Sequence, residues 1–306
     1  LGVAYVDEGV SLRANGITTP IMVMNPTNKS IRKFLEFDLE PEVYSLKQLQ
    51  KIIVLLDGKK LKIHLKIDSG MHRLGFSPNE CAQLISLIQK NRNLEVVSVF
   101  THLAAADIQK EDVFTLEQIE VFQSVTKQLI RALNISPLCH VLNSAGIQRF
   151  PHWQFDMVRL GIGLYGVAVD KGEQKHLQHI GVLKTSISQV KSISKEETVG
   201  YNRSGRLYKD SKTATIAIGY ADGYDRRFGN GVGTVLVNGA KAKVIGNVCM
   251  DMTMIDITGI DAKEGDDVIV FSENLTVSEL ARQIDTVPYE ILTNISERVK
   301  RVFIRE

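Results

Sequence analysis

Cysteine is scarce in this sequence: 306 residues carry three, Cys81, Cys139 and Cys249. The odd number rules out a closed disulfide framework and the spacing fits no metal-ligand pattern. Buried free thiols, no bound metal and a reducing, cytoplasmic setting are therefore expected. Long hydrophobic runs are lacking as well. None approaches the roughly 20 apolar residues that a membrane-spanning helix needs, and no signal peptide is visible. Nor does one sign of charge dominate, since 37 Lys and Arg face 35 Asp and Glu, mixed along the chain, for a net charge of +2. That excludes the basic stripe of a nucleic-acid binder and the polybasic patch of a membrane anchor. There is no low-complexity segment, no Walker loop and no dinucleotide fingerprint.

What is present is a globular composition, 44% apolar and 24% charged, in a chain long enough for one large domain or two ordinary ones. It opens at "LGVAYVDEG", without a Met and already strand-like, which leads to the expectation that a segment upstream has been removed. Strand-like stretches follow at 2–6, 20–25, 39–45, 61–68, 95–103, 138–144 and 156–166. Helix-period stretches sit between them. "SLKQLQKIIVLLDG" ends on a glycine, "SPNECAQLISLIQKN" opens with Ser77 and Pro78, and a third runs over about 112–134. Such alternation implies parallel strands joined by crossovers. Seven strands in 166 residues predict a (β/α)8 TIM-type barrel with its first β/α unit missing.

Past about residue 183 the texture becomes β-rich, through "KTSISQVKSI", "TATIAIGYADG", "GTVLVNGAKAKVIG", "MTMIDITG" and "DDVIVFS", with Asn-Gly and Gly-Asp turn signals. One short helix is expected at "TVSELARQI", where Thr276 and Glu279 form a capping box. The expected organisation is thus a cofactor-binding barrel over 1–182 and a mostly antiparallel β domain over 183–306.

In a barrel of this kind the site lies where the strands end. The strand ends here are unusually polar: Lys66, Asp68 and Arg73 in "KIDSGMHRLGF", His102 in "THLAAAD", His140, Asn143, Ser144 and Ala145 around "NSAG", and Arg159, Gly161 and Ile162 in "RLGIG". Any one of them alone would be a satisfied structural group. Several strands ending this way point to a site. Small residues and bare N–H groups after the last two strands suit a phosphate, so a cofactor with one phosphate is implied. Arg159 could hold that phosphate or face a ring nitrogen. Pyridoxal phosphate enzymes tune their electron sink through such a partner. A cationic partner suits simple removal and return of a proton. The β domain adds Tyr201, Tyr220 and Tyr289 near turns, in "VGYNRSGR", "IGYADGYDRR" and "VPYEILTN". A tyrosine there serves equally well as an aromatic cross-strand partner.

Taken together, "KIDSGMHRLGF", "THLAAAD", "NSAG", "VRLGIGLYG", "VGYNRSG", "IGYADGYDRR", "GNVCMDMT" and "PYEILTNISERVKRVF" resemble alanine racemase, in the family's order along the whole chain. The resemblance implies a homodimer with pyridoxal 5'-phosphate at the barrel mouth and alanine as substrate, making D-alanine for peptidoglycan, with no nucleic acid or membrane as partner. Ser144, the backbone of Gly161 and Ile162, and Tyr289 match phosphate-binding positions. Arg159 matches the partner of the pyridine nitrogen and His140 its supporting neighbour. Tyr201 matches the catalytic tyrosine, which reaches the other subunit's cofactor, and His102 the histidine linking it to the arginine. Arg73 and Met250 match residues that place the substrate carboxylate, and Tyr220 a gate on the access path. Lys66 matches a lysine that is carbamylated in many members.

One departure stands out. The family's second base is the lysine that binds the cofactor covalently, in a motif of the type Lys-Ala-x-Ala-Tyr-Gly, and no such motif occurs here. Two-base racemisation needs a base on each face of the α-carbon, and these residues supply Tyr201 alone. The sequence as it stands is therefore expected to racemise alanine poorly. A racemase for serine or a broader set of amino acids, a decarboxylase on the same barrel, and a cofactor-binding module without catalysis are the alternatives. Arg159 argues against the decarboxylase, which is expected to put an acid at the ring nitrogen.

Overall fold

The computed structural model describes residues 1–27, 31–169 and 172–304. It divides into two compact units, Leu1–Gly161 and Ile162–Glu306. Among the described residues the stretch after Gly161 carries short 3-10 turns, at Ile162–Tyr165 and Gln174–His176, before the next strand begins at Leu183.

In the first unit strands and helices alternate as β1 (Gly2–Val3), α1 (Val6–Ala14), β2 (Met22–Val23), α2 (Ile31–Glu36), β3 (Glu40–Val43), α3 (Leu46–Leu56), β4 (Leu61–Lys66), α4 (Cys81–Lys90), β5 (Leu94–Phe100), α5 (Asp112–Leu133), β6 (Leu138–His140) and α6 (Ser144–Arg149). The strands are all parallel and lie side by side in chain order. A doubly wound sheet would reverse direction at a switch point. This sheet winds one way, as the strands of a (β/α)8 barrel do. Glu42 pairs with His64, Leu65 with Val99 and Phe100 with His140, and this register decides which side chains meet.

The helices start where the sequence says they should. The Ser45 hydroxyl accepts from the Gln48 N–H at 3.2 Å to cap α3. The Ser77 N–H donates to the Glu80 carboxylate at 2.9 Å at the turn leading into α4. Helix α3 stops at Asp57 and Gly58, both at positive φ. The core fills with Val43, Ile63, Leu65 and Val99 from the strands and Ile119, Phe122 and Leu129 from α5.

Two expectations need correcting. The stretch 2–6 is strand for two residues, and α1 has begun by Val6. The stretch 156–166 forms no strand among the described residues, so the sheet has six strands and not seven. Among the described residues its N–H groups reach main-chain carbonyls of β6 and the residues just after it only at Asp156, to the Cys139 carbonyl, and at Arg159, to the Leu142 carbonyl. Those contacts are three residues apart, where a parallel ladder requires two, and Ile162–Tyr165 then turns as a 3-10 helix. All three cysteines are free, but only Cys81 is buried; Cys139 lies on β6 at the edge of the sheet and Cys249 in a loop.

The second unit contains β7 (Leu183–Ile193), β8 (Thr198–Val199), β9 (Gly205–Arg206), β10 (Ser211–Ile216), β11 (Thr234–Val237), β12 (Ala240–Ile245), β13 (Thr253–Asp256), β14 (Asp267–Phe271), α7 (Val277–Gln283) and α8 (Pro288–Thr293). Strands β10-β13-β12-β11-β14-β7 close into an antiparallel barrel, which leaves no sheet edge to protect. Asn238 and Gly239, both at positive φ, make the two-residue turn between β11 and β12. Thr276 accepts from the Glu279 N–H at 3.2 Å, and Glu279 returns a bond to the Thr276 N–H at 2.8 Å; the capping box stands as expected. Helix α8 has no counterpart among the sequence expectations, although Pro288 opens it in the favoured first position. No helix among the described residues is long and apolar enough to cross a membrane.

Candidate active site

The polar residues of the first unit gather where β3 to β6 end. Lys66 is the last residue of β4 and is buried, and Glu42, on the neighbouring strand, is completely enclosed. Their charged groups lie 3.2 Å apart. Burial pushes the Glu42 carboxyl up and the Lys66 ammonium down, each against the pull of the other. Glu42 carries no signal in the sequence, since "EPEV" looks like any short strand.

After Lys66 the chain makes a tied loop. The Asp68 N–H donates to the Phe76 carbonyl at 2.9 Å, and the Phe76 N–H to the Lys66 carbonyl at 2.8 Å. The Asp68 carboxylate accepts from the N–H groups of Gly70 and His72. Gly75 is required here. Its φ is 133°, and a Cβ would stand 2.5 Å from the Asp68 nitrogen. Asp68 thus serves the loop, while Arg73 is exposed and forms no hydrogen bond or salt bridge among the described residues.

Arg159 is the hub. Its Nη1 donates to His140 Nδ1 at 2.7 Å and to the His140 carbonyl at 3.2 Å; its Nη2 donates to the carbonyls of Thr101 at 2.6 Å and Val141 at 3.1 Å. Nε makes no hydrogen bond among the described residues. The guanidinium lies over the Phe100 ring, 5.3 Å from its centroid, and the same ring stacks on His140 at 4.9 Å. Burial draws the guanidinium down to about 10, so it stays charged near neutrality. Beside it, the Gly161 N–H donates to Ser144 Oγ at 3.0 Å, and Asn143 caps α6 through the Gly146 N–H. His102 follows β5 with its main-chain carbonyl held by Gln118 of α5; its buried Nδ1 has no hydrogen-bond partner among the described residues. Lys66, His102, His140, Ser144, Arg159 and Gly161 therefore belong to one unit, with Arg159–His140 and Ser144–Gly161 in direct contact. Phe100, Thr101 and Glu42 join them unannounced, because an apolar strand residue, a main-chain carbonyl and a carboxylate inside a strand carry no motif.

Both histidines are kept neutral. Burial, then the charges of Arg159, Arg73 and Lys66, lowers His102 to about 4; burial, Arg159 and His64 lower His140 to about 2. A histidine whose folded pKa lies below its unfolded value stabilises the fold above the unfolded value and loses that contribution as pH falls. Unfolding free energy should thus drop between pH 7 and pH 5 by on the order of 2 kcal/mol for each histidine. Chemical denaturation at several pH values checks this, and His102→Gln should flatten its share of the slope. An unchanged slope would show that burial does not hold His102 neutral.

The Lys66–Glu42 pair gives a second expectation. Lys66→Met should cost about 3 kcal/mol, because a carboxylate is left enclosed without its counter-ion, and adding Glu42→Leu should recover most of it. A double-mutant cycle in urea reads both.

The second unit presents its own residues. Tyr201 starts the 3-10 turn Tyr201–Arg203 between β8 and β9 and is 71% exposed. Asn202 and Arg203 adopt positive φ there, and the Tyr201 carbonyl accepts from Asn247 Nδ2 and Ser204 Oγ. The Tyr220 N–H donates to the Cys249 carbonyl and the Ala221 N–H to the Met250 carbonyl, each at 3.0 Å, which brings Tyr220 and Met250 together. Arg298 clasps this pair of loops through Asp222 at 2.8 Å and Asp251 at 2.6 Å. Tyr289 is half-exposed on α8, and Ile162, at the start of this unit, is buried.

Residues 1–169 match the family described as alanine racemase, N-terminal domain, and residues 180–303 match alanine racemase, C-terminal domain. An alanine racemase of Clostridium novyi is 38% identical over 321 residues, covering 100% of this chain and 82% of that protein. A solved alanine racemase from D-cycloserine-producing Streptomyces lavendulae superposes with a TM-score of 0.94 at 28% identity, covering 100% of this chain and 83% of its own. One from Bacillus anthracis, solved with bound L-Ala-P, gives 0.90 at 33%, covering 100% and 81%.

Proposed function

Because this chain belongs to the alanine racemase family, we propose that it interconverts L- and D-alanine with pyridoxal 5'-phosphate, as a homodimer in the cytoplasm that supplies D-alanine for peptidoglycan. The observation that carries the reading is Arg159. Four acceptors hold its two Nη groups, and Nε remains without a hydrogen bond among the described residues. The Ser144 hydroxyl and Gly161 N–H lie against one another nearby in the chain's fold. This donor set suits a phosphate and a pyridine nitrogen, so the residues fit the cofactor.

When bound, the cofactor supplies an electron sink that acidifies the substrate α-hydrogen. Ser144, the N–H groups of Gly161 and Ile162, and Tyr289, which match the family's phosphate-binding positions, would hold its phosphate. Arg159 would face the ring nitrogen and leave it unprotonated, which would suit plain proton exchange over deeper rearrangement. Tyr201 moves the proton on one face of the α-carbon, in the partner subunit's site, with His102 supporting it. Arg73 and Met250 would place the substrate carboxylate, and Tyr220 would gate access. Lys66 acts as the ammonium partner of Glu42. Carbamylation would set a second anion against that enclosed carboxylate and would make Lys66→Met far less costly than about 3 kcal/mol.

These 306 residues carry no lysine in the family's cofactor-binding motif. A polypeptide of this sequence is therefore expected to bind the cofactor without a covalent link and to turn alanine over slowly. Borohydride reduction in the presence of pyridoxal phosphate, read by peptide mass mapping alongside a racemase assay, tests this. Cofactor retention without a lysine adduct supports the assignment. A stoichiometric adduct on a lysine within the sequence would overturn the roles of Arg159, Tyr201 and their neighbours.

A further inference from the structure

Behind Arg159 the hydrogen bonds do not stop at His140. His140 Nε2 lies 3.1 Å from Ser98 Oγ, Ser98 Oγ lies 2.7 Å from His64 Nδ1, and His64 Nε2 lies 2.9 Å from Glu40 Oε2. The members come one each from four consecutive strands: His140 from β6, Ser98 from β5, His64 from β4 and Glu40 from β3. Each is buried. Nothing in the proposed chemistry uses Ser98, His64 or Glu40.

With a neutral His64, the direction of every proton in the relay follows from the two ends. A guanidinium can only donate, so His140 Nδ1 accepts and its single proton sits on Nε2. Ser98 takes that proton's hydrogen bond on Oγ and has one hydrogen of its own, which points to His64 Nδ1. The His64 proton then sits on Nε2 and is donated to the Glu40 carboxylate. Burial pushes Glu40 up, but its hydrogen bond from His64 and the charge of Lys62, 3.7 Å away, hold it below the usual carboxylate range. Glu40 is therefore an anion at the far end of the chain.

We propose that Ser98, His64 and Glu40 are positioning residues for Arg159, forming a one-way hydrogen-bond relay from the guanidinium to a remote carboxylate. Among the described residues Arg159 forms no salt bridge. The relay fixes the His140 ring, which fixes the guanidinium plane, and places a compensating charge beyond direct contact. A carboxylate touching Arg159 would damp the positive field that Nε presents; one placed three side chains away orients it and leaves that field in place. The inference rests on Arg159 facing the cofactor, but the relay itself is a property of the polypeptide alone.

The test is nitrogen-15 and proton NMR of the seven histidines, selectively labelled, in the cofactor-free protein. His140 and His64 should both show the Nε2–H tautomer. Ser98→Ala should abolish the hydrogen-bonded His140 Nε2–H signal, and Ser98→Thr, which keeps the hydroxyl, should restore it. Glu40→Gln should shift the His140 Nε2 resonance from three hydrogen bonds away. In the holoenzyme Ser98→Ala should lower kcat about tenfold with KM for alanine unchanged. A proton on His64 Nδ1, or a His140 signal indifferent to Glu40→Gln, would overturn the relay. The NMR readings keep their meaning even if the racemase assignment fails.

Discussion

Arg159→Met in the holoenzyme is expected to lower kcat for alanine racemisation about 10³-fold, the scale on which removing one preorganised charged donor acts. The substitution keeps side-chain length and a thioether that packs on Phe100 as the guanidinium does. What it removes is donors. His140 Nδ1 and the carbonyls of His140, Thr101 and Val141 lose their partner at once, and under the proposed function the ring nitrogen of the cofactor would lose its cation. Arg159→Lys should recover little, because an ammonium is a point charge that cannot meet acceptors on several sides in one plane. His140 supplies an independent readout. The Arg159 charge is the second cause, after burial, of its lowered pKa, so in Arg159→Met the His140 titration should move up toward its ordinary value. Turnover near that of the unaltered enzyme would mean that Arg159 holds β6 and the residues after it together and does nothing for the cofactor.

The parts of this hub that the sequence revealed were those whose side chains are costly to place by chance. A Lys, an Arg and two His at the ends of strands otherwise built of Val, Ile and Leu announce themselves. The Asn238-Gly239 turn and the Thr276–Glu279 box were legible for a similar reason, since each is a local rule satisfied within a few residues. Glu40, Glu42 and Ser98 were not legible. A glutamate in a short strand reads as a solvated edge, and only the register of β3 on β4 reveals that Glu42 pairs with His64 and lies against Lys66. Register is a long-range property, set by packing across a sheet.

The segment 156–166 misled for a related reason. "DMVRLGIGLYG" has the apolar content of a buried strand, yet its contacts with β6 and the residues after it fall three residues apart and the chain turns at Ile162. The same irregularity brings the Arg159 guanidinium against the Thr101, His140 and Val141 carbonyls and the Gly161 N–H against Ser144. A regular ladder would commit the Gly161 N–H to a neighbouring carbonyl. The failed strand and the gathered donors are one fact of geometry.

Tyr201→Phe should separate the two faces of the reaction. In the structure the Tyr201 hydroxyl forms no hydrogen bond among the described residues, and the ring is 71% exposed. The turn is held by main-chain contacts that phenylalanine keeps, from Asn247 and Ser204 to the Tyr201 carbonyl. Stability should therefore change by less than about 0.5 kcal/mol, and cofactor affinity should persist. Racemisation should fall about 10³-fold, within the range for loss of a positioned general base. The fall in kcat/KM must be equal in both directions, because L- and D-alanine are enantiomers and their equilibrium constant is fixed at unity. Solvent exchange has no such constraint. In a polypeptide that also supplies the family's cofactor-binding lysine as the base on the opposite face, deuterium incorporation at the α-carbon of L-alanine should fall with racemisation, whereas D-alanine should keep exchanging. Equal exchange of both enantiomers would place the tyrosine outside proton transfer, and loss of bound cofactor would make Tyr201 a structural support of the site. Selective survival of one exchange reaction is the outcome that only a base on one face can give.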